Sequence, residues 1–172
     1  MYQIGDAVLY GTQGVCRIAE ITQKTLNKTV VEYYVLKPVY CDHSTIYIPV
    51  QNAELTGKMR RVLSEEEVSD IIHAMPFEES IWIEDEAERK ERYRDIILRG
   101  NRMELVKMIK ALHAHQQQQQ ARGKKMHQAD ERFLKEAEKM LYDEFALVLH
   151  IEPNQVLPFI QEQIEVEERK HA

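Results

Sequence analysis

The chain has 172 residues, of which 44% are hydrophobic, and carries a formal net charge of −6. That length suits one ordinary domain or two small ones, and the hydrophobic fraction excludes wholesale disorder. The acidic balance excludes a general nucleic-acid coat, and no apolar run approaches the roughly 20 residues of a membrane span.

The opening MYQIGDAVLY has no basic region ahead of an apolar core, so it does not read as a signal peptide. Residues 1–50 read as β-structure. Residues 6–10 form a short strand opened by Gly5. Gly11 and Gly14 bracket a turn where positive φ is tolerated. Residues 15–25 form a second strand, and Leu26, Asn27 and Lys28 a polar turn. Residues 29–39 are dense in β-branched and aromatic side chains and predict the firmest strand, with Pro38 marking an edge or an exit. Residues 45–50 alternate, with Ile46, Ile48 and Val50 on one face and Thr45 and Tyr47 on the other. Short strands with tight turns over 50 residues predict a small, strongly bent antiparallel barrel. Residues 51–63 show no clear period. A domain boundary is placed here, giving an N-terminal unit of residues 1–58 and a C-terminal unit of residues 59–172.

From Ser64 the hydrophobic period becomes helical. Ser64 and Glu67 make a capping box, followed by Val68, Ile71, Ile72 and Met75 on one face, and Pro76 stops the helix. Residues 77–83 form a connection holding Trp82, the only tryptophan. A second helix is expected over residues 84–99, burying Tyr93, Ile96 and Ile97, with Gly100 in the left-handed terminal position. Asn101 and Glu104 predict a further capping box. The next helix buries Leu105, Val106, Ile109 and Leu112, and Gln116 to Gln120 form its solvated tail. A basic loop around Gly123 follows. Residues 130–150 carry the best amphipathic pattern, with Phe133, Leu134, Ala137, Met140, Leu141, Phe145 and Val148. Pro153 suits the first turn of a last helix that buries Val156, Phe159, Ile160 and Ile164 and frays over the terminal EVEERKHA. The expected class is α+β in two domains: the barrel, then an all-α bundle of about five helices.

Charge is uneven. Residues 1–63 hold 7 Lys and Arg against 5 Asp and Glu, whereas residues 64–172 hold 16 against 24. Any DNA contact of the second unit is therefore a local patch in an unfavourable net field, and is expected to be weak and salt-sensitive.

A search for catalytic motifs returns nothing that fits. There is no Gly-x-Ser-x-Gly elbow, no phosphate-binding glycine loop and no His-Glu-x-x-His. Cys16, Cys41 and His43 lack the spacing of a structural zinc site. His113 and His115 stand about 200° apart on a helix and cannot chelate one ion. Glu84, Asp85 and Glu86 suit a helix start. No enzyme, cofactor, metal, small-molecule substrate or membrane role is expected, and two cysteines fit a reducing cytoplasm.

The binding features are basic and aromatic. Arg89, Lys90, Arg92 and Arg94 read either as phosphate contacts or as a solvated face paired with Glu86, Glu88 and Glu91. Trp82 reads either as a wedge at a base step or as a side chain packed on the bundle. Lys124, Lys125, His127 and Arg132 form a second basic patch. Composition alone supports a two-domain interaction protein.

The order of several short motifs is more specific. Ile4-Gly-Asp-Ala-Val-Leu-Tyr10, Gly14-Val15, Tyr33-Tyr-Val-Leu-Lys37 and Ile48-Pro49-Val50 resemble the N-terminal module of the CarD/CdnL family of bacterial transcription regulators. Glu91-Arg-Tyr-Arg94, Gly100 and the stretch from Asp130 to Ala146 resemble its helical part, so the likeness covers residues 1 to about 164. It implies a Tudor-like barrel that binds the RNA polymerase β subunit. It also implies a helical domain that touches promoter DNA at the upstream edge of the −10 bubble through the minor groove, without base specificity, and so stabilises the open complex. Transcription-repair coupling factor carries a similar module, but with a helicase for which this chain has no room.

On that resemblance the polymerase face includes Lys24 and Tyr47, where arginines are usual. Lys24 keeps the charge without the planar fork of arginine, and Tyr47 loses the charge. The DNA-facing set is Trp82, Arg89, Lys90, Arg92, Arg94, Lys124, Lys125 and Arg132. Trp82 stands ten residues before Arg92-Tyr93, further than in the better-known pattern. Either the ring reaches DNA from the connection, or it packs on the bundle. The alternative function is a protein adaptor that does not bind DNA.

Overall fold

The protein is described from a computed structural model covering residues 1–41 and 43–171. It divides into two compact units, Met1–Leu63 and Ser64–Ala172.

The first unit is one antiparallel sheet of strands β1 (Ala7–Tyr10), β2 (Val15–Leu26), β3 (Thr29–Pro38), β4 (Ile46–Pro49) and β5 (Met59–Arg61), in the order β4-β3-β2-β1-β5. Gly11 and Gly14 both take positive φ around a 3-10 turn between β1 and β2, as their spacing predicts. The β2–β3 hairpin turns on Asn27 and Lys28, both at positive φ. Two left-handed central residues match the strand twist in a two-residue hairpin loop. Pro38 ends β3 as an exit, in a strand interior to the sheet.

The pairing of β2 with β3 shifts register between Ile18 and Glu20, and such an irregularity sharpens the bend. The bend lets both edge strands feed one core. Ile48 from β4 and Met59 from β5 pack with Val8, Cys16, Ile18, Tyr34 and Leu36. The ladder is thus curled in the manner expected of a small barrel, and its hydrogen bonds run from β4 at one edge to β5 at the other. Cys16 is buried and Cys41 partly exposed.

β5 is the element the sequence concealed. Its three residues pair with β1, and Tyr2 donates its hydroxyl to the Met59 carbonyl. The first unit therefore extends to Leu63, five residues beyond the expected boundary at residue 58. A short helix, α1 (Ala53–Thr56), capped by Asn52, leads into β5. A three-residue basic edge strand has too little length to show alternation.

The second unit holds α2 (Glu65–Ala74), α3 (Glu86–Arg99), α4 (Arg102–Ala121), α5 (Gln128–Leu149) and α6 (Pro153–Lys170). Both halves of the Ser64–Glu67 capping box form. Gly100 ends α3 in the left-handed region, at φ 66°. Only half of the second expected box forms. Asn101 Oδ1 accepts from the Glu104 N–H, but the Glu104 carboxylate takes a hydrogen bond from Arg92 instead. The glutamine run lies in the last turns of α4, and Pro153 opens α6. Residues 165–170, expected to fray, remain helical to the end of α6 at Lys170, and Ala172 lies outside the described residues.

The core gathers Ile96, Leu105, Met108, Leu112, Met140 and Phe145, each almost wholly buried. Each large apolar side chain removed from water in this way contributes about 1.5–3 kcal/mol. Three carboxylates of α5 are buried with them: Asp130, Asp143 and Glu144. Arg102 at the start of α4 meets Glu144 with two hydrogen bonds, of 2.9 and 2.7 Å. Asp143 is different: burial pushes its carboxyl up to about 6, partly offset by Lys139.

Candidate functional sites

On the sheet, the register puts Tyr33 opposite Thr22, Lys24 opposite Val31, and Tyr47 opposite Val35. These positions alternate with the core residues Tyr34, Leu36 and Ile48, so they share the outer face. Lys24 and Tyr47, distant in sequence, meet there. The lysine Nζ lies 3.9 Å from the centre of the Tyr47 ring. Tyr33 packs edge-on against the same ring at 6.3 Å between centroids. An exposed cation over an aromatic face is worth about 0.5–1 kcal/mol. That is enough to hold Lys24 in place without hiding it. The result is an exposed aromatic patch with one ordered positive charge. Tyr33 is the member of it that sequence reading left out.

At the helical unit, the connection before α3 is fastened on several sides. The Ile81 N–H donates to the Lys107 carbonyl of α4, and the Tyr93 hydroxyl donates to the Ile81 carbonyl at 2.7 Å. Lys110 donates from α4 to the Met75 and Glu78 carbonyls. Trp82 is therefore held in place although it belongs to no helix. Its ring is half-buried and stacks on His115 of α4, with centroids 4.2 Å apart and planes 24° from parallel. Its N–H donates to Glu84 Oε1 at 3.2 Å.

Arg89 lies inside the bundle. Its Nε and Nη2 donate to the two oxygens of Asp130 at 3.1 and 3.0 Å, and its Nη1 donates to the Ile83 carbonyl at 2.9 Å. Its guanidinium also lies 4.4 Å from the centre of the Trp82 ring. Only 4% of Arg89 is exposed, so this residue of the expected DNA-facing set has no free donor face for phosphate. It ties the start of α3 to the start of α5. Its spacing from Tyr93 and Ile96 places it on the buried stripe of α3, a signal the sequence held, but its partner Asp130, 41 residues away, could not be read from periodicity.

The other basic residues differ in freedom. Lys90 pairs with Glu86 at 3.0 Å, and that bond holds the Glu86 carboxyl below its usual range. Arg92 pairs with Glu104 at 3.0 Å and with Asp95 at 3.5 Å. Lys90 pairs with one of the expected carboxylates, whereas Arg92 pairs with two that were not in the expected set. Arg94, Lys124, Lys125 and Arg132 are exposed and make no ion pair among the described residues. The Arg89–Asp130 pair and the His115 stack bring Trp82 to the end of the bundle where the α4–α5 loop lies. Lys124 and Lys125 on that loop, and Arg132 one turn into α5, thus share an end with the tryptophan. Arg94 lies further along α3.

Each unit thus presents one surface on which aromatic and cationic side chains lie together. The family comparison concerns the first unit. Residues 2–63 match the model described as the CarD-like/TRCF RID domain, so the N-terminal unit is such a domain, and the match supports a CarD-like protein. The domain supports a transcription-related protein that interacts with RNA polymerase. The matched span ends where the compact unit ends, at Leu63. No curated protein matches the chain. Among the described residues, no helix is long and apolar enough to cross a membrane.

Proposed function

We propose that this protein binds the β subunit of RNA polymerase through the outer sheet face around Lys24 and Tyr47. The end of its helical unit around Trp82, Lys124, Lys125 and Arg132 then contacts promoter DNA at the upstream edge of the −10 bubble. By binding the open complex more tightly than the closed one, it shifts the equilibrium toward the open state. The observation that carries this reading is the shared end of the bundle. A half-buried tryptophan and a loop with free cations lie together there, in a chain whose N-terminal unit is a CarD-like/TRCF RID domain.

Charge magnitudes favour this division of labour. The helical unit carries a net excess of acid, so it does not seek DNA alone. Tethering through polymerase supplies a high effective concentration, and a weak contact then suffices. The contact is read from phosphate and groove shape, which needs cations and an aromatic side chain rather than base-reading side chains.

The test is the lifetime of promoter open complexes with and without the protein, alongside polymerase binding. A longer lifetime that Trp82→Ala shortens, with polymerase binding intact, is the expected result. An unchanged lifetime with polymerase binding intact would instead identify a protein adaptor that does not touch DNA.

A further inference from the structure

We infer that His115 is a positioning residue for Trp82: its imidazole is the platform that orients the indole at the DNA-facing end of the helical unit. The functional part of this inference rests on the reading above. The positional part stands on geometry alone.

The connection fixes the Trp82 backbone through Ile81, but a fixed backbone leaves the side-chain torsions free. Three contacts remove that freedom. Glu84 takes the indole N–H, Arg89 lies over the ring, and His115 stacks on it at 4.2 Å. Arg89 is committed to Asp130 and to the Ile83 carbonyl and keeps that place whatever the indole does. Glu84 is exposed and belongs to the connection itself. His115 is the only one of the three that references the ring to α4, the helix that leads into the basic loop. It therefore sets where the indole stands relative to Lys124 and Lys125. On its other side, His115 Nε2 lies 3.4 Å from Gln119 Nε2, one turn along α4.

The platform carries a titratable ring, which supplies a readout. The groups facing it are Trp82 and Glu84 from the connection, Arg89 from α3, Gln119 from α4 itself, and Asp130 and His127 from the start of α5. Burial lowers the His115 pKa from its ordinary value, with Arg89 and His127 acting in the same direction and Asp130 and Glu84 opposing. The ring is thus held toward its neutral form. A protonated imidazole stacked on an indole quenches its fluorescence.

Because Trp82 is the sole tryptophan, the tryptophan emission of the intact protein comes from this ring, and the His115 variants isolate the contribution of the stack. The experiment compares wild type, His115→Ala and His115→Phe between pH 8 and 5. Wild-type emission should fall as pH is lowered, and the fall should be absent in both variants. His115→Ala should also shift the emission maximum to the red, and His115→Phe should restore it, because a flat ring still stacks. In promoter complexes His115→Ala should shorten open-complex lifetime several-fold, with His115→Phe close to wild type. Wild-type emission that does not titrate, or a titration that survives in His115→Ala, would overturn the positional claim. A lifetime unaffected by His115→Ala, when Trp82→Ala does shorten it, would overturn the functional one. If Trp82→Ala itself leaves the lifetime unchanged, the DNA reading fails instead, and the fluorescence arm still decides whether His115 positions the ring.

Discussion

Replacing Arg89 with methionine separates the two roles that a basic residue at this position can have. As a solvent-facing cation, its loss would cost within about 0.5 kcal/mol. The structure instead buries the guanidinium against Asp130, with side chains 5% and 1% exposed. Methionine keeps much of the volume but leaves an uncompensated carboxylate in the interior and strips the Ile83 carbonyl of its donor. Breaking a buried pair by removing one partner costs about 3–5 kcal/mol. For a unit of this size, that lowers Tm by more than about 10 °C. Urea unfolding followed by helical circular dichroism and by Trp82 emission reads the loss as a lower midpoint at constant slope. Adding Asp130→Leu should recover much of the loss, because an apolar pair of similar volume often replaces a buried ion pair without penalty. The coupling between the two changes then measures the pair. A cost below about 1 kcal/mol for Arg89→Met, with no coupling to Asp130, would refute the buried clamp and return Arg89 to the phosphate-contacting set.

Three further outcomes can be checked. Lys24→Glu reverses the one ordered charge beside Tyr47 and should weaken polymerase binding in a pull-down or titration; full binding would place the interface elsewhere on the unit. Tyr93→Phe deletes the hydroxyl that holds the Ile81 carbonyl and should cost about 1 kcal/mol or somewhat more in urea unfolding, with a red shift of Trp82 emission as the connection loosens. Asp143 has a folded-state pKa raised to about 6. It therefore binds its proton more tightly folded than unfolded, and its contribution to stability falls as pH rises from about 4 through 6. Asp143→Asn should remove that component, so the stability gap between variant and wild type should widen in the variant's favour across this window; a constant gap would refute it.

Much of the architecture was legible because it follows from local rules. Density of β-branched and aromatic side chains marked β3, alternation marked β4, and the polar residues 26–28 marked the turn between β2 and β3. The capping box at Ser64, the stop at Pro76 and the terminator at Gly100 set the helix limits. What was not legible depends on contacts distant in sequence. β5 exists because β1 offers it an edge. No local pattern marks Asp130 and Glu144 as buried; α3 and α4 deliver arginines to them from far along the chain. Residue type groups Arg89 with Arg92 and Arg94, although its helical spacing from Tyr93 and Ile96 puts it on the inward stripe; only its partner across the bundle was illegible. Trp82 fell between the alternatives the sequence left open. It sits on the bundle, and it does so at the end that carries the free cations.

That end sets a limit on how strongly the helical unit can hold DNA. Of the basic residues in the DNA-facing set, four are exposed without an ion pair among the described residues: Arg94, Lys124, Lys125 and Arg132. Lys90 and Arg92 reach phosphate only by giving up Glu86 and Glu104, which cancels most of the gain. A protein that neutralises Z phosphates loses affinity with a slope of about −0.9Z in log salt, so four contacts predict a slope no steeper than about −4. Arg94 lies away from the shared end, and a contact confined to Trp82, Lys124, Lys125 and Arg132 predicts about −3. The measurement is protein-dependent open-complex lifetime across a salt series, with the slope of polymerase and promoter alone subtracted. Lys124→Gln combined with Lys125→Gln should flatten the remaining slope by about 2 and leave unfolding stability unchanged. A slope that these changes do not alter would mean that the α4–α5 loop never meets phosphate, and the DNA-facing surface would then have to lie along α3 around Arg94.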